Sequence, residues 1–248
     1  MFNFEFIANN TLFKICSYLN FNERYLYGLT NKKMFNVGFL GYKHEDIISM
    51  LYNKYIMYKI NINNYINIKF NICIYDNDNI YDLSEFNKVH SLELINCSNI
   101  EDVSPLKNIN SLELYYCKNI RDVSSLGFIP NLKIYSCKNI TDISCLRNNK
   151  KIMLEYLNIR DVSSLQNIDD IHIKKCNDII DISPLKHVNK LSLTECNNIT
   201  DIYMLGNIKT LSIINCSNIF SVIGLETVEN LKIVDCYRNI TDIDILNN

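Results

Sequence analysis

Seven cysteines recur at nearly constant spacing, and thiols are the side chains here best suited to metal binding or disulfide formation. This cysteine column consists of Cys97, Cys117, Cys137, Cys176, Cys196, Cys216 and Cys236. No Cys-x-x-Cys pair accompanies them. Parallel side chains stacked about 4.8 Å apart would not turn their Cβ atoms toward each other, as a disulfide requires. We therefore interpret them as buried thiols that pack as small hydrophobic groups, and we expect no metal.

Carboxylates and amides form two further columns, which raises the possibility of a calcium site. The Asp column is Asp82, Asp102, Asp122, Asp142, Asp161, Asp181, Asp201 and Asp242. The Asn column is Asn79, Asn99, Asn119, Asn139, Asn158, Asn198, Asn218 and Asn239. Both residue types also bond nearby backbone N–H groups in turns, and Asn tolerates left-handed backbone. We favour the turn interpretation and expect no cofactor.

The remaining candidates for catalysis are the four histidines, His44, His90, His172 and His187. They occupy unrelated positions, and no spacing supports a Ser–His–Asp or Cys–His arrangement. A Gly-rich phosphate loop is also missing from the sequence. We therefore predict that the protein is not an enzyme.

The columns belong to a repeat that reads Leu-x-Leu-x-x-Cys-x-Asn-Ile-x-Asp-Val/Ile-Ser-x-Leu. Its copies begin at Leu92, Leu112, Leu132, Ile152, Ile171, Leu191, Leu211 and Leu231, with a degenerate copy at Ile72. The step is 20 residues except for one of 19 after Ile152, which predicts a local irregularity in the sheet. A period of this length predicts a solenoid of nine repeats.

Each element of the repeat has a predictable conformation. Leu-x-Leu alternates as a strand does, and regular spacing makes neighbouring strands parallel. The return segment is too short for a full crossover helix, so we expect turns and single-turn helices there. Apolar positions recur and should form one stacked core; in the first complete copy they are Leu92, Leu94, Ile100, Val103, Leu106 and Ile109. The predicted fold class is α/β.

Over residues 71–248 this pattern resembles the leucine-rich-repeat family. Asn-Ile-x-Asp-Ile-Ser-x-Leu is similar to the short repeats of bacterial internalin-type proteins, and the cysteines are similar to those in the repeats of F-box proteins. The resemblance implies a curved solenoid with a concave parallel sheet, short turns on its convex side, and a role in binding proteins.

Residues 1–40 have a different pattern, with short helices predicted from Thr11 to Leu19 and around Leu26. This segment resembles the F-box family at Ser17-Tyr18-Leu19 and at Thr30-Asn31-Lys32-Lys33-Met34-Phe35. Ala8 replaces the proline that is usual in that family. An F-box implies docking on the Skp-type adaptor of a cullin-RING ubiquitin ligase, and we expect the contacts to come from Phe6, Ile7, Leu12, Ile15, Leu19 and Leu26. The alternative is a helical cap without any ubiquitin role.

Residues 41–70 are predicted to be a helical connector or cap. An amphipathic helix is expected from about His44 to Tyr58, where Ile47, Ile48 and Leu51 lie in an apolar stripe. A helical segment here could shield the first repeat, since solenoids need caps.

The outward strand positions vary between copies, so we expect the partner to bind there. The predicted contact residues on the concave face are Glu93, Glu113, Tyr115, Tyr116, Lys133, Tyr135, Glu155, His172 and Lys174. Exposed aromatic residues are typical interface anchors. Tyrosine also suits a pleated surface for structural reasons alone, so that alternative stays open.

The composition of the chain indicates which classes of partner and which cellular compartment are expected. The net charge of −2 does not favour nucleic acid. No apolar run reaches membrane-spanning length, and the first residues lack the pattern of a signal peptide. Ten cysteines, interpreted as mostly free thiols, suggest a reducing, cytoplasmic location. A secreted adhesin would require an oxidising compartment instead. Abundant Asn, Ile, Tyr and Lys suggest an AT-rich genome, such as that of a large DNA virus.

Overall fold

The computed structural model describes residues 47–51, 69–236 and 240–247, and the chain divides into two compact units, Met1–Asn71 and Ile72–Asn248. In the first unit, Ile47–Leu51 forms strand β1. The helix predicted over residues 44–58 is therefore wrong at this segment. A short apolar run does not distinguish helix from strand, and the adjacent β-branched Ile47 and Ile48 favour extended backbone. The predicted F-box, residues 1–40, and residues 41–46 and 52–68 of the predicted connector lie outside the described residues. The last two residues of the predicted connector, 69 and 70, are part of a strand and not of a helix.

The second unit is built on a parallel sheet whose nine strands follow one another in chain order. The strands are β2 (Lys69–Tyr75), β3 (Ser91–Ile95), β4 (Ser111–Tyr115), β5 (Asn131–Tyr135), β6 (Lys151–Glu155), β7 (Asp170–Lys174), β8 (Lys190–Thr194), β9 (Thr210–Ile214) and β10 (Asn230–Val234). Equivalent residues pair directly, as Leu92 does with Leu112. This architecture resembles a leucine-rich-repeat solenoid, as the sequence predicts.

Alternation along each strand separates the core from the solvent-facing side of the sheet. In β3 and β4, Leu92, Leu94, Leu112 and Leu114 are buried, and the residues between them are half-buried. Burying each such side chain stabilises the fold by roughly 1.5–3 kcal/mol. The predicted apolar slots are buried in the same way as far as Leu225, and most of the described ones beyond it are half-buried. Asn149 occupies the slot that Ile109 and Ile129 hold in earlier copies.

Most return segments contain a short 3-10 helix, which confirms the predicted single-turn helices. These helices are Ser84–Phe86, Ser104–Leu106, Ser124–Leu126, Ser163–Asn167, Ser183–Leu185, Tyr203–Asn207 and Ile243–Asn247. The equivalent segments at 144–145 and 223–224 are turns. No helix among the described residues has the length and apolar character needed to cross a membrane.

The 19-residue copy is irregular in its turn, so the prediction of an irregular sheet is wrong. Leu157 occupies the cysteine slot, and only Asn158 separates it from the buried Ile159. Strand β6 nevertheless pairs residue for residue with β7, including Ile152 with Ile171. The strand pairing and the buried apolar residues on either side of the turn are kept, so only the turn is shortened by the missing residue.

Candidate functional site

The cysteine column is part of the core. All seven thiols are buried, and the nine described cysteines are free. Cys117 Sγ donates weakly to the carbonyl oxygens of Leu94 at 3.6 Å and Tyr115 at 3.5 Å. Burial raises the pKa of Cys97 to about 11 and that of Cys176 to about 12. Cys97 and Cys176 are therefore poor nucleophiles, because the thiolate is the reactive form. Within the described residues, no group of three His, Cys, Asp or Glu side chains could hold a metal ion.

The Asp column holds the turns that follow the strands, as the turn interpretation predicts. Asp102 Oδ1 accepts a hydrogen bond from the Ser104 N–H at 2.8 Å. The equivalent bond occurs at Asp82, Asp122, Asp142, Asp161, Asp181 and Asp201. Because the carboxylate form accepts these bonds, the pKa of Asp122 and of Asp181 lies below its ordinary value.

The Asn column instead connects neighbouring copies. Asn119 Nδ2 donates to the Ser98 carbonyl oxygen at 2.7 Å, and Asn139 Nδ2 donates to the Lys118 carbonyl oxygen at 2.6 Å. The left-handed backbone expected at Asn lies elsewhere, at the residue that directly follows each strand. These left-handed positions are Asp76, Asn96, Tyr116, Ser136, Tyr156, Lys175, Glu195, Asn215 and Asp235, with φ between 46° and 57°.

Residue types at the left-handed positions differ between the ends and the middle of the sheet. The two copies at each end use Asn or Asp, which accept this backbone readily. The five central copies use Tyr116, Ser136, Tyr156, Lys175 and Glu195. A bulky residue with positive φ is a true conformational outlier, and the cost is about 1–2 kcal/mol. The backbone alone does not explain these central residues.

Two of these left-handed residues join two strand residues in a tyrosine cluster, composed of Tyr115, Tyr116, Tyr135 and Tyr156. The Tyr135 ring is central. Its centroid lies 5.8 Å from that of Tyr115, 5.1 Å from that of Tyr116 and 5.0 Å from that of Tyr156. The Tyr116 contact is edge-to-face and the other two are tilted, which are favourable arrangements for aromatic rings.

Lysines and carboxylates surround the tyrosine cluster. Lys133 Nζ lies 5.1 Å from the Tyr115 ring centroid and 3.7 Å from Glu155 Oε1. Glu155 is only 7% exposed, so it positions Lys133 rather than offering a contact surface, contrary to its predicted role. On the other side, Lys175 Nζ lies 5.1 Å from the Tyr156 ring centroid and 2.9 Å from Glu195 Oε2.

His172 and Lys174 lie on β7 beside this group. Lys174 Nζ is 4.0 Å from Glu195 Oε1. Burial lowers the pKa of His172, and the opposing effect of Glu155 does not reverse this. His172 is therefore neutral near pH 7, since even an unperturbed histidine has a pKa of about 6.5.

Glu93 and Glu113 form the other end of the surface. They stand directly opposite each other in the β3–β4 register. Tyr115 Oη donates a hydrogen bond to Glu113 Oε2 at 2.5 Å. Cys73 on β2 lies beside Glu93, and its pKa is raised to about 11, first by burial and then by Glu93.

The structure thus places most of the predicted contact residues on one continuous face. We call this face the sheet surface: the solvent-facing residues of β3–β8 together with the left-handed residues Tyr116, Tyr156, Lys175 and Glu195. Sequence reasoning missed Glu195, which anchors two lysines. The signal was available, because Glu195 directly precedes a member of the cysteine column, as Tyr116 does. The predicted F-box contacts Phe6, Ile7, Leu12, Ile15, Leu19 and Leu26 lie outside the described residues.

Three solved structures from Listeria monocytogenes are similar to this chain. An internalin C2 shares 26% identity over 61% of this chain and 73% of its own, with a TM-score of 0.48. An internalin, InlF, shares 17% identity over 95% and 93%, with a TM-score of 0.45. The functional domain of InlJ, which includes a cysteine ladder, shares 18% identity over 71% and 49%, with a TM-score of 0.38. No family model and no curated protein matches the chain.

Proposed function

We propose that this protein binds another protein through the sheet surface. The observation that supports this most directly is the choice of residues at the left-handed positions. In the central copies, Tyr116, Tyr156 and Lys175 occupy backbone that Asn or Asp would occupy at lower cost. Departures from a local conformational rule are expected at functional sites.

The chemistry of the sheet surface suits a protein partner. Tyrosine is among the residues that dominate binding energy at interfaces, because its ring is large and rigid and its hydroxyl bonds polar groups. The ring contacts and the adjacent lysines hold the tyrosine cluster in place before binding, which reduces the ordering entropy that binding must overcome.

Other partner classes fit less well. Six strands at about 4.8 Å spacing extend over roughly 24 Å, which is more than a small ligand spans. Lys133 is paired with Glu155 and Lys175 with Glu195, so the positive charge of each lysine is already partly neutralised and attracts a phosphate backbone less. A protein surface with mixed charge is the better complement.

A panning experiment tests this proposal. Phage-displayed random dodecapeptides are selected against the full chain, and the enriched peptides are measured against Tyr135→Ala and, as a matched control, the exposed Tyr81→Ala outside the sheet surface. We expect Tyr135→Ala to weaken binding about tenfold or more, as loss of an interface anchor does. Enriched peptides that bind both variants equally well would refute a binding role for the sheet surface.

We further propose, from the sequence resemblance of residues 1–40, that the chain is a substrate adaptor of a cullin-RING ubiquitin ligase in the cytoplasm. From the composition of the chain, we propose that a large DNA virus encodes it. Leu12, Ile15 and Leu19 would dock on the Skp-type adaptor, and the sheet surface would select the substrate. Purified Skp-type adaptor should bind the full chain and the Tyr135→Ala variant equally, but not a Leu12→Asp variant. No binding to the wild-type chain would exclude this role.

The alternative is a binding scaffold whose N-terminal helices act only as a cap. In that case Leu12→Asp lowers the free energy of unfolding, because an apolar contact within the chain is lost. The adaptor proposal instead expects normal stability with lost adaptor binding. Urea denaturation of the same variant distinguishes the two.

A further inference from the structure

We propose that Glu93, Glu113 and Tyr115 form an acceptor for a cationic side chain of the protein partner, arginine above all. This proposal rests on the proposed function and specifies the chemistry of one end of the sheet surface. The partner would present a basic residue beside the group that packs on the tyrosine cluster.

The register of the two carboxylates is unfavourable for the sheet by itself. Glu93 pairs directly with Glu113, and they are the one like-charged pair among the registered pairs of β3–β10. Like charges directly opposite on neighbouring strands destabilise a sheet. The fold does not require a carboxylate at these positions, since the equivalent residues of β8 and β9, Ser192 and Ser212, are uncharged.

No lysine or arginine in the described part of the chain neutralises this pair of carboxylates. Among the residues that the structure describes, neither Glu93 nor Glu113 has a basic nitrogen within 4.0 Å. Lys133 is the registered neighbour of Glu113, yet its ammonium group lies 3.7 Å from Glu155 Oε1 and 5.1 Å from the Tyr115 ring centroid. Within the described residues the negative charge at this end of the surface has no basic counterpart, and we assign that role to the partner.

The two carboxylates are held in position and partly removed from water. Both glutamates are half-buried on the sheet, and the Tyr115 hydroxyl holds Glu113 with a hydrogen bond of 2.5 Å. Burial raises the pKa of Tyr115 most, and the hydrogen bond to Glu113 and the charges of Glu113, Glu93 and Glu155 raise it further. A charged group that is already oriented and partly desolvated binds a counter-charge more strongly than a free surface carboxylate does.

Arginine fits this geometry better than other cations. Its planar guanidinium carries five N–H donors and can bond two carboxylates about one strand spacing, roughly 4.8 Å, apart. It also stacks on aromatic rings, whereas lysine offers a compact point charge. A metal ion is a poorer candidate, because the described residues contain no cluster of three suitable ligands.

Peptide selection tests the acceptor with its own controls. Peptides that lose binding to Tyr135→Ala should carry an arginine at a fixed distance from their apolar residues. A synthetic peptide of this kind should bind the Glu93→Gln variant about tenfold more weakly than wild type, the effect of losing a charge-assisted hydrogen bond. Its arginine-to-citrulline version should bind both proteins equally. Glu101→Gln, at an exposed glutamate in the turn after β3, should bind like wild type.

The outcomes separate the two proposals. If Tyr135-sensitive peptides lack arginine, or bind Glu93→Gln as tightly as wild type, the acceptor is refuted and the binding surface stands. If no enriched peptide responds to Tyr135→Ala, both proposals fail. A urea titration should find Glu93→Gln at least as stable as wild type, because it removes a like-charge contact, so weaker binding cannot be attributed to unfolding.

Discussion

The Ser221 hydroxyl donates a hydrogen bond of 2.6 Å to Asp242 Oδ2 in the following copy of the repeat. Ser221 stands in the slot that the Asp column fills in earlier copies, so this turn lacks its own carboxylate. Asp242 supplies one from the next copy, since its Oδ1 accepts a hydrogen bond from the Val222 N–H at 2.9 Å. A carboxylate acceptor at this turn is therefore kept even where the sequence column is broken.

These carboxylates should make the protein sensitive to acid. The pKa values of Asp82, Asp122, Asp142, Asp161, Asp181 and Asp242 are lowered by hydrogen bonds to the charged form. A lowered folded-state pKa contributes stability above the unfolded value of about 3.9, and that stability is lost as the pH falls through the folded values. We expect urea midpoints to fall steeply below about pH 4, and less steeply in Asp181→Asn. The exposed Asp178→Asn is the control; equal slopes in all three proteins would contradict this account.

Substitutions at the left-handed positions should have opposite effects on the free energy of unfolding at the end and in the middle of the sheet. Asn215→Tyr should lower the free energy of unfolding by about 1–2 kcal/mol, because a bulky residue replaces one that accepts positive φ. Ser136→Asn should raise it, by up to about 1 kcal/mol. Chemical denaturation measures both changes. If Asn215→Tyr were neutral, the left-handed backbone would impose no cost, and the observation on which the proposed function rests would lose its force.

Asn149 is expected to be structural despite its polarity. Its side-chain amide group donates to the Leu126 carbonyl oxygen at 3.0 Å and to the Ile129 carbonyl oxygen at 2.6 Å, while Oδ1 is buried without a hydrogen-bond partner in the structure. Asn149→Ala should lower the free energy of unfolding by about 1–3 kcal/mol, because buried acceptors lose their donor.

Two further variants at this place sharpen the Asn149 prediction. Asn149→Asp keeps the shape but directs a carboxylate toward two carbonyl oxygens, so it should destabilise more than Asn149→Ala. The neighbouring exposed Asn148→Ala should have little effect. A stability change at Asn148 as large as that at Asn149 would show that the buried hydrogen bonds are not the cause.

The cysteines should react in an order set by burial. The half-buried Cys73 and Cys145 should be alkylated before the seven thiols of the cysteine column. Burial raises the pKa of Cys216 to about 12, so little thiolate forms at neutral pH, and access is also blocked. Mass spectrometry after timed exposure to iodoacetamide, with and without urea, measures the order. Rapid native labelling of Cys216 or Cys196 would contradict the packed core.

The sequence alone predicted the repeats, the strand positions and the inward apolar residues, because each depends on a strict period. It also predicted that the cysteines are buried and that Asp holds the turns. It failed at Ile47–Leu51, where a short apolar run has no unique period, and at the position of the left-handed residue. That position is set by the strand end and not by residue type, so a column containing Tyr116, Lys175 and Asn215 carries no compositional signal.

The contact surface was predicted only in part for a similar reason. The alternation along each strand identified which residues face solvent. Contacts between side chains of neighbouring copies depend on side-chain length and conformation, which the alternation does not give. Glu155 was expected to contact a partner, and is instead covered by its neighbours. Glu195 was missed because it lies just after its strand, where alternation no longer applies.

The copy that is one residue short has a consequence for how such a chain can change over generations. Strands β6 and β7 stay paired residue for residue although the segment between them has lost a position. Unequal recombination between copies with a junction in such a turn would therefore give products that still stack. The number of copies becomes an adjustable quantity, and a lineage can lengthen or shorten its recognition face one strand at a time.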